Sequence, residues 1–190
     1  IVSAITRLNA DVLGLMEIEN NGYGDNSAIA NLVAALNAAQ PDEADHYAWV
    51  ASPDGQPIGT DAITVGLIYR PASVTPEGAA SLIELPVQQA EAQDASGKPV
   101  AIKQGMRESL LQRFSSPKGD APLTLVVNHL KSKGSACFED YPDYATADPL
   151  DGQGHCNALR VSAAKVLGER LKEVSGDLLL IGDLNAYGME

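Results

Sequence analysis

Apolar residues along this chain fall mostly in short runs that suit strands, and in two stretches they recur at helical spacing. Residues 1–9 read as the end of a helix. Asp11 to Met16 then reads as a buried strand, Val-Leu-Gly-Leu-Met after the acid. Asn20-Asn21-Gly22-Tyr23-Gly24 is a turn cluster. From about Ser27 the residues Ile29, Leu32, Val33 and Leu36 fall at i, i+3, i+4 and i+7, which is one face of a helix. Asp25, Asn26 or Ser27 can cap it, and Pro41 ends the region. Tyr47 to Ala51 predicts a short strand, and Ile63 to Tyr69 a strong one, stopped by Pro71. Residues 76–106, rich in Ala, Gln and Pro, read as a long excursion. Leu110 to Phe114 and Leu123 to Val127 predict two more strands about a turn at 116–120. A helix is expected from Ala158 to about Val174, burying Val161, Ala164, Leu167, Leu171 and Val174, with Gly176 closing it. Leu178 to Ile181 predicts a final buried strand.

Strands dominate, with two clear helices between them. That pattern implies a layered α/β protein in which helices pack on sheets. The chain has 190 residues, 45% of them apolar and 20% charged. This suits one domain with a real core, since domains typically run to about 100–200 residues. No apolar run approaches the ~20 residues needed to cross a bilayer. No internal repeat or linker divides the chain. It opens without Met, within a helical pattern, and stops at Glu190 shortly after a motif that carries chemistry. The expectation is therefore a single domain over 1–190 that is incomplete at both ends.

Net charge is −12, from 13 Lys plus Arg against 25 Asp plus Glu. Polyanion binders are usually basic, so this weighs against a nucleic-acid substrate. Divalent cations and local basic groups can offset it. The two cysteines, Cys137 and Cys156, leave two readings. An intracellular protein would carry free thiols, and an exported one a disulfide. The segment between them contains Pro142, Pro149, Gly152 and Gly154 and has little apolar periodicity. Closing it would contribute about 3 kcal/mol in the chain-entropy model. Zinc held by Cys137, Cys156 and His155 is disfavoured, because no C-x-x-C or comparable spacing occurs. The acids Glu139, Asp140, Asp143, Asp148 and Asp151 match no calcium loop and read as a solvated acidic loop.

Three strand ends carry the candidate chemistry, at the place where open α/β sheets build their sites. Glu17 ends the first strand. A hard ion such as Mg²⁺ takes oxygen ligands and often only one or two protein carboxylates. Glu17 suits that role, and Glu19 shares its parity. His129 follows Leu-Thr-Leu-Val-Val-Asn; as imidazolium it can donate to a phosphoryl oxygen or protonate a leaving oxygen. Asn128 precedes it, and Lys131 and Lys133 follow it with local positive charge. In Gly182-Asp183-Leu184-Asn185, extended geometry would point Asp183 and Asn185 to one side. Asp183 can accept a proton from water, and Asn185 can hold a phosphate oxygen by its amide. Arg70, Arg107 and Arg160 are candidate phosphate clamps. His46 and His155 read as structural or solvated.

Leu-Met-Glu, Asn-His-Leu and Gly-Asp-Leu-Asn, in this order, resemble the endonuclease/exonuclease/phosphatase superfamily, typified by pancreatic-type deoxyribonuclease. Leu15 to Gly24, Gly59-Thr60-Asp61-Ala62-Ile63, Asn128 to Ser135 and Gly152-Gln153-Gly154-His155-Cys156-Asn157 are similar to bacterial extracellular nucleases. The resemblance implies a two-sheet α/β sandwich flanked by helices and metal-dependent phosphodiester hydrolysis, with Mg²⁺ or Mn²⁺ as the ion and Ca²⁺ as an alternative. It implies Glu17 as metal ligand, His129 as stabiliser of the phosphoryl transition state, and Asp183 and Asn185 positioning water and phosphate. Arg107, Asn128, Lys131 and Arg160 are the expected substrate contacts, and DNA the expected substrate. Export or a cell-surface location follows from it too, in keeping with paired cysteines. The superfamily's early-strand Asn and closing Asp-His pair have no counterpart between residues 1 and 190. The chain alone is therefore expected to be nearly inactive, and its uncovered sheet edges to self-associate. A phospholipid or phosphoinositide phosphodiesterase on the same fold, and a non-catalytic binding module, are the competing readings. No basic amphipathic helix supports membrane docking.

Overall fold

The computed structural model describes residues 1–93, 99–119, 121–134, 137 and 152–188. The predicted acidic loop at 139–151 lies outside them. The chain forms two compact units, each built from three separated segments.

The first unit comprises residues 1–83, 108–129 and 174–182. Its centre is β3 (Ile63–Tyr69), an apolar run because both of its faces are covered. Val65 and Leu67 point into one apolar cluster, while Ile68 points into another. That split is the period-two alternation of a strand between two layers. β3 pairs antiparallel with β1 (Val12–Glu19) on one side and β2 (Ala48–Trp49) on the other. The outer layer is α1 (Val2–Leu8) and α2 (Ala28–Ala38), whose Ile5, Ile29, Val33 and Leu36 pack with Tyr47 and Ile68. Ser27 caps α2 as expected, its Oγ accepting from the Ala30 N–H at 3.3 Å.

The second sheet runs in the order β10 (Asp177–Asp183), β9 (Leu123–His129), β8 (Ser109–Ser115), β4 (Thr75–Pro76), with β5 (Ser81–Ile83) also paired to β8. Leu110 and Phe114 of β8 and Leu125 and Val127 of β9 close against Val65 and Leu67 of β3. This is the sheet-on-sheet core. At Gly14 in β1 an added Cβ would sit 2.5 Å from Ile181 Cδ1 and 2.9 Å from Val127 Cγ2, so the sheets approach too closely there for a side chain.

The second unit comprises residues 84–107, 130–173 and 183–190. It holds a hairpin, β6 (Gln88–Gln93) with β7 (Pro99–Gln104), and α3 (Asn157–Leu171). Cys137 and Cys156 form a disulfide with Cα atoms 5.1 Å apart, buried with Leu159 and Met106. The disulfide reading of the cysteines is the one realised, and the bonded sulfurs exclude the zinc alternative.

Four expectations need correction. The excursion at 76–106 contains strand β5 and the β6–β7 hairpin. The buried face of α3 is Leu159, Arg160, Ala163 and Leu167, and Val161 is 41% exposed. The helix is rotated from the predicted face because the disulfide cluster fixes Leu159 inward. β10 is not buried: Leu178, Leu179 and Leu180 are 38%, 47% and 40% exposed, because it is the end strand of its sheet. β1 is only half-buried, and Met16 is exposed.

Candidate functional site

Glu17 occupies a distortion rather than a regular strand end. Leu15 pairs with Gly66 and Ile18 with Thr64, so Met16 and Glu17 together oppose Val65. Two residues against one is a β-bulge. Glu17 has φ 59°, left-handed for a side chain with a Cβ, and is exposed. Such strain is of order 1–3 kcal/mol and concentrates where a side chain must be aimed. The bulge also breaks alternation: Leu15 and Ile18 both pack toward the helices, which no regular strand allows. The expected shared parity of Glu17 and Glu19 therefore fails, and Glu19 lies back in register opposite Ile63.

Beyond the bulge, Asn20 clamps the loop before β3. Its Nδ2 donates to the carbonyls of Ile58 (2.8 Å) and Asp61 (2.9 Å), and its Oδ1 accepts from the Ile58 N–H at 3.1 Å. This role was not anticipated; the visible signal was Asn20 in the turn cluster.

His129 ends β9 and is 4% exposed. Asn128 is fully buried. Its Nδ2 donates to Val126 O (3.3 Å) and Ile181 O (3.2 Å), and its Oδ1 accepts from Ser109 Oγ. An asparagine amide has two donors and one acceptor oxygen, so these bonds occupy both N–H groups and engage the oxygen. Asn128 is thus a buried tie between strands, at a position where the sequence suggested a substrate contact.

In the second unit, Asp183 is exposed and its Oδ1 accepts from the Asn185 N–H at 2.7 Å. That Asx turn puts Asn185 at φ 49°. Asn185 Nδ2 donates to Leu130 O at 3.0 Å, and the Leu130 N–H donates to Asp183 O at 2.9 Å. The Asp-x-Asn pair is therefore a turn closed onto the segment after β9, not the extended pair expected. Asp and Asn side chains compete with a strand's hydrogen bonds in this way.

Arg160 is buried, 3% exposed. Its Nη1 donates to His155 O (2.6 Å) and Lys131 O (3.3 Å), and its Nη2 to Gln153 O (3.1 Å). It ties the segment after β9 to the loop before α3, beside the disulfide. Lys131 Nζ reaches Ser132 O and Oγ at 3.4 Å, and Lys133 Nζ stands 3.7 Å over the Tyr187 ring. Arg107 is half-buried just before β8. Arg70 lies between Asp11 (3.7 Å) and Asp45 (3.6 Å) and 5.0 Å over the Tyr47 ring, so it is a structural cation.

Among the described residues no three His, Cys, Asp or Glu side chains gather as ligands. A Mg²⁺ ion does not require such a cage, because water and substrate phosphate complete its shell. Glu17, an exposed oxygen donor on a strained bulge, fits that kind of ion. No described helix is long and apolar enough to cross a membrane.

No protein-family model and no curated protein matches the sequence. Solved structures do match its fold. The human Nocturnin catalytic domain with bound sulfate anion is 15% identical, with a TM-score of 0.54, covering 100% of this chain and 56% of that one. D. rerio TDP2 complexed with single strand DNA product is 19% identical, with a TM-score of 0.54, covering 97% and 52%. An endonuclease/exonuclease/phosphatase family protein from Bacteroides thetaiotaomicron is 13% identical, with a TM-score of 0.51, covering 100% and 55%. The chain spans about half the length of the solved structures it matches. The α/β fold is therefore deoxyribonuclease-I-like, as the motifs implied.

Proposed function

We propose that this chain belongs to a divalent-metal-dependent phosphodiesterase of the endonuclease/exonuclease/phosphatase superfamily. Its substrate would be nucleic acid, and its activity that of an exported DNase. The observation that carries the reading is Glu17: an exposed carboxylate held in left-handed backbone by a bulge within β1. Strain of that kind at a chemically competent side chain is the signature of a site. A neighbour of the same fold complexed with single strand DNA product supports the substrate class. The disulfide supports export or the cell surface, because disulfides persist in oxidising compartments.

In this reading Glu17 holds Mg²⁺ or Mn²⁺. The ion would supply Lewis-acid polarisation of a phosphoryl oxygen. Asp183, its carboxylate exposed, accepts the proton of the attacking water as the new O–P bond forms. Asn185, fixed by the Asx turn, orients the phosphate through its amide. His129 donates to the phosphoryl oxygens as charge develops, and the leaving oxygen takes a proton from solvent water as its bond to phosphorus breaks. Lys131 and Arg107 add positive charge for the phosphate backbone.

The intact natural protein, incubated with supercoiled plasmid and Mg²⁺, is the test. Nicking should disappear with EDTA and in Asp183→Ala, and fall by about 10² or more in Glu17→Gln. Plasmid left untouched by folded, Mg²⁺-loaded protein would overturn the reading. Hydrolysis of a phosphoinositide instead would move the assignment to the lipid-headgroup enzymes of this fold.

A further inference from the structure

A buried polar row runs behind the candidate catalytic residues. Leu110 pairs with Val127, and one residue beyond that pair the side chains of Ser109 and Asn128 meet. Ser109 and Asn128 are both fully buried, and Ser109 Oγ donates to Asn128 Oδ1. On its other side Asn128 Nδ2 reaches Ile181 O in β10. Gly182 completes the row. An added Cβ there would lie 1.9 Å from Asn128 O, and its φ of +133° is one that glycine tolerates best. One amide therefore joins three strands, the start of β8 and the ends of β9 and β10. In sequence, Ser109 follows Arg107-Glu108, Asn128 precedes His129, and Gly182 precedes Asp183.

An apolar side chain would fill this space without the desolvation cost of a buried amide. What the amide adds is register. A one-residue slip of β9 would move Asn128 to the other face and strand its donors and acceptor. We propose that Asn128, set by Ser109 and seated on Gly182, is a positioning residue that locks the ends of β8, β9 and β10 so that His129 and Asp183 are presented in fixed register. The assignment of a catalytic role to those two rests on the function proposed above. In this proposal Asn128 acts through its strand neighbours, to which both its N–H groups and its oxygen are bonded.

The Leu130 N–H, which donates to Asp183 O, reports on this lock directly. In the intact natural protein, Ser109→Ala should speed hydrogen exchange at Leu130 by about tenfold, the loss of one net hydrogen bond, and Asn128→Ser, which removes up to three, by more than that. The amides of β3 should keep their protection. Plasmid nicking should lose up to about a hundredfold in kcat, as expected when reacting groups are misplaced. KM and the pH profile should hold. The double variant should be no worse than Asn128→Ser alone. A rise in KM with Leu130 exchange unchanged would overturn the proposal in favour of direct substrate contact. Loss of protection throughout β3 and β9 together would reduce the row to general stability. If Asn128→Ser does not fold, Ser109→Ala carries both readouts. If no phosphodiester is cleaved at all, the function fails while Leu130 exchange still decides the lock.

Discussion

β9 and β10 are neighbours in one sheet and each carries an aliphatic run that ends in polar residues or glycine, Leu-Thr-Leu-Val-Val-Asn-His against Asp-Leu-Leu-Leu-Ile-Gly-Asp. Their environments are opposite. Six of the seven residues of β9 are buried, whereas β10 has three leucines each at least 38% exposed. The difference lies in place, not composition. β9 has a strand on each side and apolar partners across the sandwich, while β10 ends its sheet. An apolar run predicts a strand; it does not predict how many sides of that strand are covered.

The comparison can be broken at the point where the strands touch. Gly182→Ala puts a Cβ into the backbone of Asn128 and forces the wrong φ, so a loss above about 4 kcal/mol is expected, the range of severe backbone and packing faults. Urea unfolding checks it; a near-neutral variant would mean that the strands can separate freely.

Next in size, Leu125→Ala in β9 should cost about 2–5 kcal/mol, and Leu179→Ala in β10 under about 1 kcal/mol, since only the first opens a cavity. Equal losses would show that β10 is covered in solution. Leu179→Lys sharpens the same point. An apolar end strand is a template for pairing, and a lysine there blunts it. Light scattering of the 190-residue chain should show self-association that falls in this variant without a change in unfolding midpoint.

The smallest effect lies outside both strands, in the cluster around α2. Burial, the first cause, raises the Tyr47 pKa above 10.0; Arg70 opposes it, and Asp11 and Asp45 add to it. The neutral phenol is thus favoured in the folded state and donates to Ala10 O at 2.7 Å. Its contribution is full below the unfolded value and is lost as pH rises through the folded one. Stability should fall on passing upward through pH 10 and fall less in Tyr47→Phe, read from denaturation midpoints.

Much of the fold was legible. The helical spacing of Ile29, Val33 and Leu36 gave α2 and its face, and Ile63 to Tyr69 gave the central strand. Less of α3 could be read: its extent was close, but its inward face follows the disulfide cluster and Arg160 rather than its own periodicity. For the candidate site, the strand ends bearing Glu17 and His129 and the start of the Asp183 turn were visible as polar groups after apolar runs. Their local geometry was not. The Glu17 bulge exists only in the register between β1 and β3, and Asn185 turns because Asp183 and Leu130 give its amide groups partners.

Sequence alone determined most of the strands and helices outside 76–106, because side-chain periodicity and turn residues act locally. It also brought the chemistry to the strand ends. Tertiary structure decided which polar groups stay available. Asn128 and Arg160 looked like phosphate contacts, yet one amide bridges three strands and the other guanidinium holds three carbonyls. A buried polar group must be satisfied by whatever the fold brings near it, and that neighbourhood is set by residues distant in the chain.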